Sequence, residues 1–107
     1  MKKIVNLTPH VIKVRTEAGT WVFMPSGVVA RVAVDSRRVG DAEGIPIYLA
    51  QFGSVEGLPD PEPDTLFLVS SLVGQASKRS DLVAPDTGPT AVREQGQVVA
   101  VTRLQRF

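Results

Sequence analysis

Side chains able to bind or transform a ligand concentrate between Ser70 and Gly88 of this 107-residue chain. The apolar run Leu66-Phe67-Leu68-Val69 feeds directly into Ser70-Ser71 and a stretch with helical character through Arg79. Backbone amides at a helix start lack intrahelical partners, and with the Ser70 and Ser71 hydroxyls they form a natural anion site. Arg79 offers a planar fork for phosphate or carboxylate. Asp81, Asp86 and Thr87 add groups that exchange hydrogen bonds with a sugar or base. The pattern fits a nucleotide-like ligand, although no Gly-x-x-x-x-Gly-Lys loop is present to cradle a triphosphate. The plainer reading of the same residues is a capped helix, an Arg79–Asp81 surface pair and a turn.

Two other chemistries need testing against the sequence. Asp86-Thr87-Gly88 is the triplet of aspartic proteases, in which two carboxylates share one proton. Those enzymes carry it in their first third, whereas here it lies late and is followed at once by Pro89. Its plainer role is a turn in which the Asp side chain caps its own backbone. His10 is the single histidine. It could serve a small hydrolase as general base with Asp86 or a serine, or it could fix a strand break through backbone hydrogen bonds. With one histidine and no cysteine, no metal site and no cofactor is expected, and no catalytic set is assigned.

The elements that must position these residues are mostly strands. Valine occurs 17 times, and with 4 isoleucines and 7 threonines it makes the chain rich in β-branched side chains, which suit a pleated sheet better than a helix. Strands are expected at 3–7, 11–15, 20–24, 28–34, 45–52 and 66–69. A turn is expected at Glu17-Ala18-Gly19, and a last hairpin around Gln95-Gly96. Asp35 through Gly44 reads as a polar loop. Gly53 through Thr65, with three prolines and four acids, reads as a stiff irregular connector. The only helix candidate is 70–79, held by Leu72, Val73 and Ala76 against the cost of Gly74. The expected fold is α+β, mainly β: one compact domain over residues 1–107, with a small antiparallel sheet or partial barrel and one short helix.

Lys and Arg number 12 against 11 Asp and Glu, for a net charge of +1, and the charges are interspersed. This argues against a duplex nucleic acid partner, which calls for a concentrated basic stripe. No apolar run approaches the roughly 20 residues that cross a bilayer, and the apolar start after Lys2-Lys3 stops at Asn6. A soluble, cytoplasmic protein without membrane contact is expected. Exposed strand edges favour a homo-oligomer.

Asn6-Leu7-Thr8-Pro9-His10 resembles the opening of a family of small proteins from phages, prophages and bacterial genomes. Gly57-Leu58-Pro59, Leu68-Val69-Ser70-Ser71-Leu72-Val73 and Arg79 with Asp81 through Pro89 look like further stretches of that family, in the same order. The resemblance implies a compact β-rich domain in a phage setting, acting by binding. The expected function is a non-enzymatic counter-defence protein that sequesters a nucleotide-derived immune signal. Its expected ligand-binding residues are Ser70, Ser71, Arg79, Asp81, Asp86 and Thr87, with His10 and Asn6. The alternatives are a protein-binding module, either an inhibitor of a host factor or a virion component, and the His10 hydrolase.

Overall fold

The computed structural model describes residues 2–107. In chain order the elements are β1 (Lys3–Asn6), β2 (Ile12–Thr16), β3 (Gly19–Phe23), β4 (Arg31–Ala42), β5 (Ile45–Glu56), β6 (Thr65–Leu68), α1 (Ser71–Ser77), β7 (Leu82–Pro85), β8 (Val92–Glu94), β9 (Gln97–Ala100) and β10 (Leu104–Gln105). Among the described residues the protein is mainly β with one short helix, and none of its sheets closes into a barrel.

The central sheet has the order β1-β6-β7-β10. It is mixed rather than antiparallel: β1, β6 and β7 run parallel, and only β10 opposes its neighbour. The cause is α1, which carries the chain back along the sheet so that β7 restarts in the direction of β6. Both strands are continuous apolar runs, as strands covered on two faces are. Phe67 and Leu82 join Leu7, Ala30, Val69 and Val73 in the core on one face, with Val32, Val55 and Leu58 packed against it. Leu68 and Val83 alternate to the other face. The β2–β3 hairpin keeps Lys13 and Arg15 in solvent and buries Val14.

Ser70 caps α1, its Oγ accepting from the Val73 amide at 3.3 Å. Of the three side chains expected to hold the helix, only Val73 is buried; Leu72 is 47% exposed and Ala76 also faces solvent. Gly74 supplies what they do not. A Cβ there would lie 2.6 Å from the Phe107 ring, so the missing side chain seats the C-terminal aromatic on the helix.

The largest departure from the sequence reading is at Asp35–Gly44. β4 does not stop at Val34 but continues to Ala42, turns through Glu43 and Gly44, and returns as β5. Both turn residues have positive φ (53° and 80°), the geometry of a type I′ hairpin, whose twist matches its strands. Apolar and polar residues do not alternate cleanly because this ribbon has solvent on both faces. Val32 pairs with Val55 at its root against the core, and from Ala33 to Ser54 every residue of the two strands is exposed. The ribbon therefore projects as an arm roughly 27 Å long beyond Val34. Its projection explains a radius of gyration of 16.4 Å, against about 13 Å for a compact chain of 100 residues. Among the described residues no helix is long and apolar enough to cross a membrane.

Gly57, just past the arm's root, has φ 77°, and a Cβ on it would stand 2.3 Å from the Val29 carbonyl oxygen. Backbone cannot swing aside as a side chain does. Gly57→Ala is expected to destabilise the protein by about 2 kcal/mol or more in urea unfolding, while Gly44→Ala at the open arm tip costs less.

Candidate functional site

The opening motif folds on the Asn6 side chain, which is 2% exposed. Its Nδ2 donates to the carbonyls of His10 (2.7 Å) and Phe23 (2.9 Å). Its Oδ1 accepts from the Thr8 amide (2.9 Å) and the Thr8 hydroxyl (2.7 Å). All four hydrogen-bonding positions of the amide are thus occupied within the chain. Pro9, which has no amide to donate, sits at the exposed crest of this turn. His10 takes part through its backbone. Its residue is exposed, and among the described residues its imidazole makes no hydrogen bond to a carboxylate or hydroxyl.

Arg79 and Asp81 face each other as a fork. Nε donates to Oδ1 at 2.9 Å, Nη2 donates to Oδ2, and Nη1 donates to the Pro59 carbonyl at 2.8 Å. The guanidinium thereby staples the Pro-rich connector to the entry of β7. The hydrogen bond from Arg79 holds the Asp81 carboxyl below its usual pKa, and the reciprocal bond raises that of Arg79.

Asp86 builds the turn after β7. Oδ1 accepts from the Gly88 amide at 3.0 Å and Oδ2 from Arg103 Nε at 2.7 Å. Its pKa is lowered, first by Arg103 and then by the Gly88 amide. The Thr87 carbonyl accepts from Arg93 at 2.9 Å. Asp-Thr-Gly is here an Asx turn between two parts of the chain.

The expected ligand-binding residues fall into two groups. Asp81 and Asp86 flank opposite ends of β7, roughly 16 Å apart along a strand. Arg79 and Asp81 lie at the end where the parallel strands begin, while Asn6, Ser70, Asp86 and Thr87 lie where they finish. Ser70 and Arg79 stand at the two ends of the helical segment, roughly 13 Å apart. What does meet is Thr8 with Ser70 and Arg31, around a shallow cleft of about 260 Å³, and His10 with Thr87, around another of about 230 Å³. Ser71 opens α1 and is half-buried. Among the described residues no group of three His, Asp or Glu side chains could hold a metal ion.

A cleft of about 530 Å³ lies elsewhere, between the arm and α1, lined by Phe52, Leu72, Ala76 and Phe107 with Gln75 and Lys78. Phe52 is the arm's contribution to it, and further apolar side chains stand exposed along the arm. Ile45 (63% exposed), Ile47 and Leu49 share one face of β5, and Tyr48 and Phe52 (59% exposed) share the other with Val34 of β4. Sequence reasoning missed this surface because it assigned half of the ribbon to a loop. Its signal was available: no residue from Ile45 to Val55 carries a charge.

Comparison with known proteins adds no relative: no protein-family model, curated protein or solved structure matches the chain.

The Asp81 carboxylate contributes stability above its unfolded pKa of about 3.9, and the contribution is lost as pH falls through its lowered folded value. Arg79→Ala is therefore expected to cost about 1–2 kcal/mol at pH 7. The gap between wild type and variant should narrow as pH falls below about 4, leaving the share carried by the Pro59 carbonyl, as read by urea unfolding across pH.

Proposed function

We propose that this chain is a non-enzymatic protein-interaction module of the phage-associated kind its sequence resembles, working through the β4–β5 arm. The observation that carries the reading is the row of exposed apolar side chains on a ribbon that projects from the core. Monomeric soluble proteins rarely expose contiguous apolar surface beyond about 300–600 Å². Here half-exposed apolar side chains lie on both faces of one projecting ribbon, Ile45, Ile47 and Leu49 on one face and Val34, Tyr48 and Phe52 on the other. Such a ribbon suits a protein partner, as in an inhibitor of a host factor or a component of a virion.

Sequestering a nucleotide-derived signal has less support. It requires Arg79 to take up phosphate, and the fork of Arg79 is already engaged by Asp81 and Pro59. It also requires Ser70 and Asp86, whose side chains cap a helix and a turn. A hydrolase built on His10 also has less support: among the described residues its imidazole makes no hydrogen bond with a carboxylate, and Asp86 is engaged by Gly88 and Arg103.

The test compares the tagged full chain with Ile47→Asp and with Arg79→Ala, captured from the cells that express them, alongside calorimetry with cyclic nucleotides and ADP-ribose. The expected result is a stoichiometric protein complex, made with its own copy or with another chain, that Arg79→Ala retains and Ile47→Asp loses. Heat of binding to a nucleotide that Arg79→Ala abolishes and Ile47→Asp leaves intact would overturn the reading.

A further inference from the structure

The β2–β3 hairpin has one edge in use and one open. The Arg15 amide donates to the Val101 carbonyl at 2.8 Å, and the Lys13 carbonyl accepts from the Val101 amide at 2.9 Å. Lys13 and Arg15 therefore turn their main-chain groups away from β3. In an antiparallel ladder the residues opposite such a pair turn theirs outward on the far side. Those residues are Val22 and Thr20. Their amides and carbonyls line the outer edge of β3, and among the described residues none of them has a hydrogen-bond partner.

Nothing on β3 guards this edge. From Ala18 to Met24 the sequence has neither charge nor proline, and the β2–β3 register runs without a bulge. Charges, bulges and prolines are what protect an edge strand from pairing. The arm has all three: β4 carries Asp35, Arg37, Arg38 and Asp41 with an irregularity between Arg38 and Gly40, and β5 has Pro46.

The two faces beside the open edge differ in chemistry. On the inner face Trp21 and Phe23 join Val14, Ile4 of β1 and Leu104 of β10 around a shallow apolar pocket of about 130 Å³. An apolar cavity of about 150 Å³ holds a benzene molecule, so this pocket is of the size of one apolar side chain. Trp21 stays 44% exposed at its mouth. On the outer face Val22 and Thr20 stand beside exposed Lys13 and Arg15. Among the described residues neither cation forms an ion pair.

We propose that β3 takes up an extended segment of another protein as an added strand, apolar on one face and acidic on the other. The main-chain groups of Thr20 and Val22 hold its backbone, as in other cases of strand addition. Its inward side chains settle against Trp21 and into the pocket. Its carboxylates face Lys13 and Arg15, two strand spacings or roughly 10 Å away, a gap that a long cation and a glutamate close from both sides. A second copy of β3 suits the place less well, because it sets Lys13 and Arg15 of both chains on one face of the sheet with no acid on either β3 strand. The edge is separate from the arm, and neither reading depends on the other.

Trp21 is the single tryptophan of the chain, so its fluorescence reports on this edge alone. The probe is a synthetic peptide of alternating glutamate and leucine, with lysine–leucine and glutamate–alanine peptides as controls, titrated into the full chain. The glutamate–leucine peptide is expected to shift Trp21 emission to the blue and to saturate at one peptide per chain. The controls should bind weaker by on the order of 10-fold or more. Lys13→Glu combined with Arg15→Glu, both at exposed positions, should reverse the preference in favour of the lysine–leucine peptide. Only alternate residues of a strand bond to a given neighbour. Methylating every second backbone nitrogen of the glutamate–leucine peptide should therefore abolish binding to the wild-type chain in one phase and spare it in the other. Unchanged Trp21 emission, an equal response to all three peptides, or indifference to both methylation patterns would overturn the proposal. A dimer of the chain that forms without peptide and excludes it would overturn it in favour of a second copy.

Discussion

The architecture depends on one buried amide. Asn6 ends β1, and its side chain holds the turn at Thr8–His10 and the last carbonyl of β3 in one cluster. The adjoining backbone extends the junction. The Asn6 carbonyl accepts from Ser26, the Leu7 amide donates to Leu68, and the Leu7 carbonyl accepts from Ala30, the residue before β4. Central sheet, β2–β3 hairpin and the root of the arm are thus tied within two residues of chain. Leaving a buried amide or carbonyl without a partner costs about 1–3 kcal/mol each. Asparagine is suited to the place because it presents two donors and an acceptor in one small plane.

From this junction follows a division of labour. The polar residues with the strongest chemical look stabilise the fold. Arg79 fastens the connector, Asp86 fastens the turn after β7 to Arg103, and Ser70 starts the helix. The surface proposed here for recognition is apolar and lies on the arm. A lone two-stranded ribbon is marginally stable in water, so the stability of the arm bears directly on the proposed interaction.

Much of this was legible in the sequence, and the failures have physical causes. The turns at Glu17-Ala18-Gly19 and Gln95-Gly96 were readable because short glycine-bearing gaps between β-branched runs leave few alternatives. The Asx turn at Asp86, the Ser70 cap and the Arg79–Asp81 pair were readable because each is settled by neighbours three residues away or fewer. Parallel pairing of β6 and β7 was not, since Leu66–Val69 and Leu82–Ala84 read the same in either direction. The arm was not, because Asp35, Ser36, Arg37 and Arg38 look like a loop when no core imposes alternation. The distant partners, Pro59 for Arg79 and Arg103 for Asp86, left no local trace. Nor did the separation of Asp81 from Asp86 to opposite ends of one strand, which only the strand between them decides.

Hydrogen–deuterium exchange along β5 bears most directly on the arm as a covered surface. The account predicts that amides from Ile47 to Phe52 exchange slowly in the complex captured from the expressing cells and faster in the Ile47→Asp chain, while β6 and β7 remain unchanged. Equally fast exchange along β5 in both samples would contradict it.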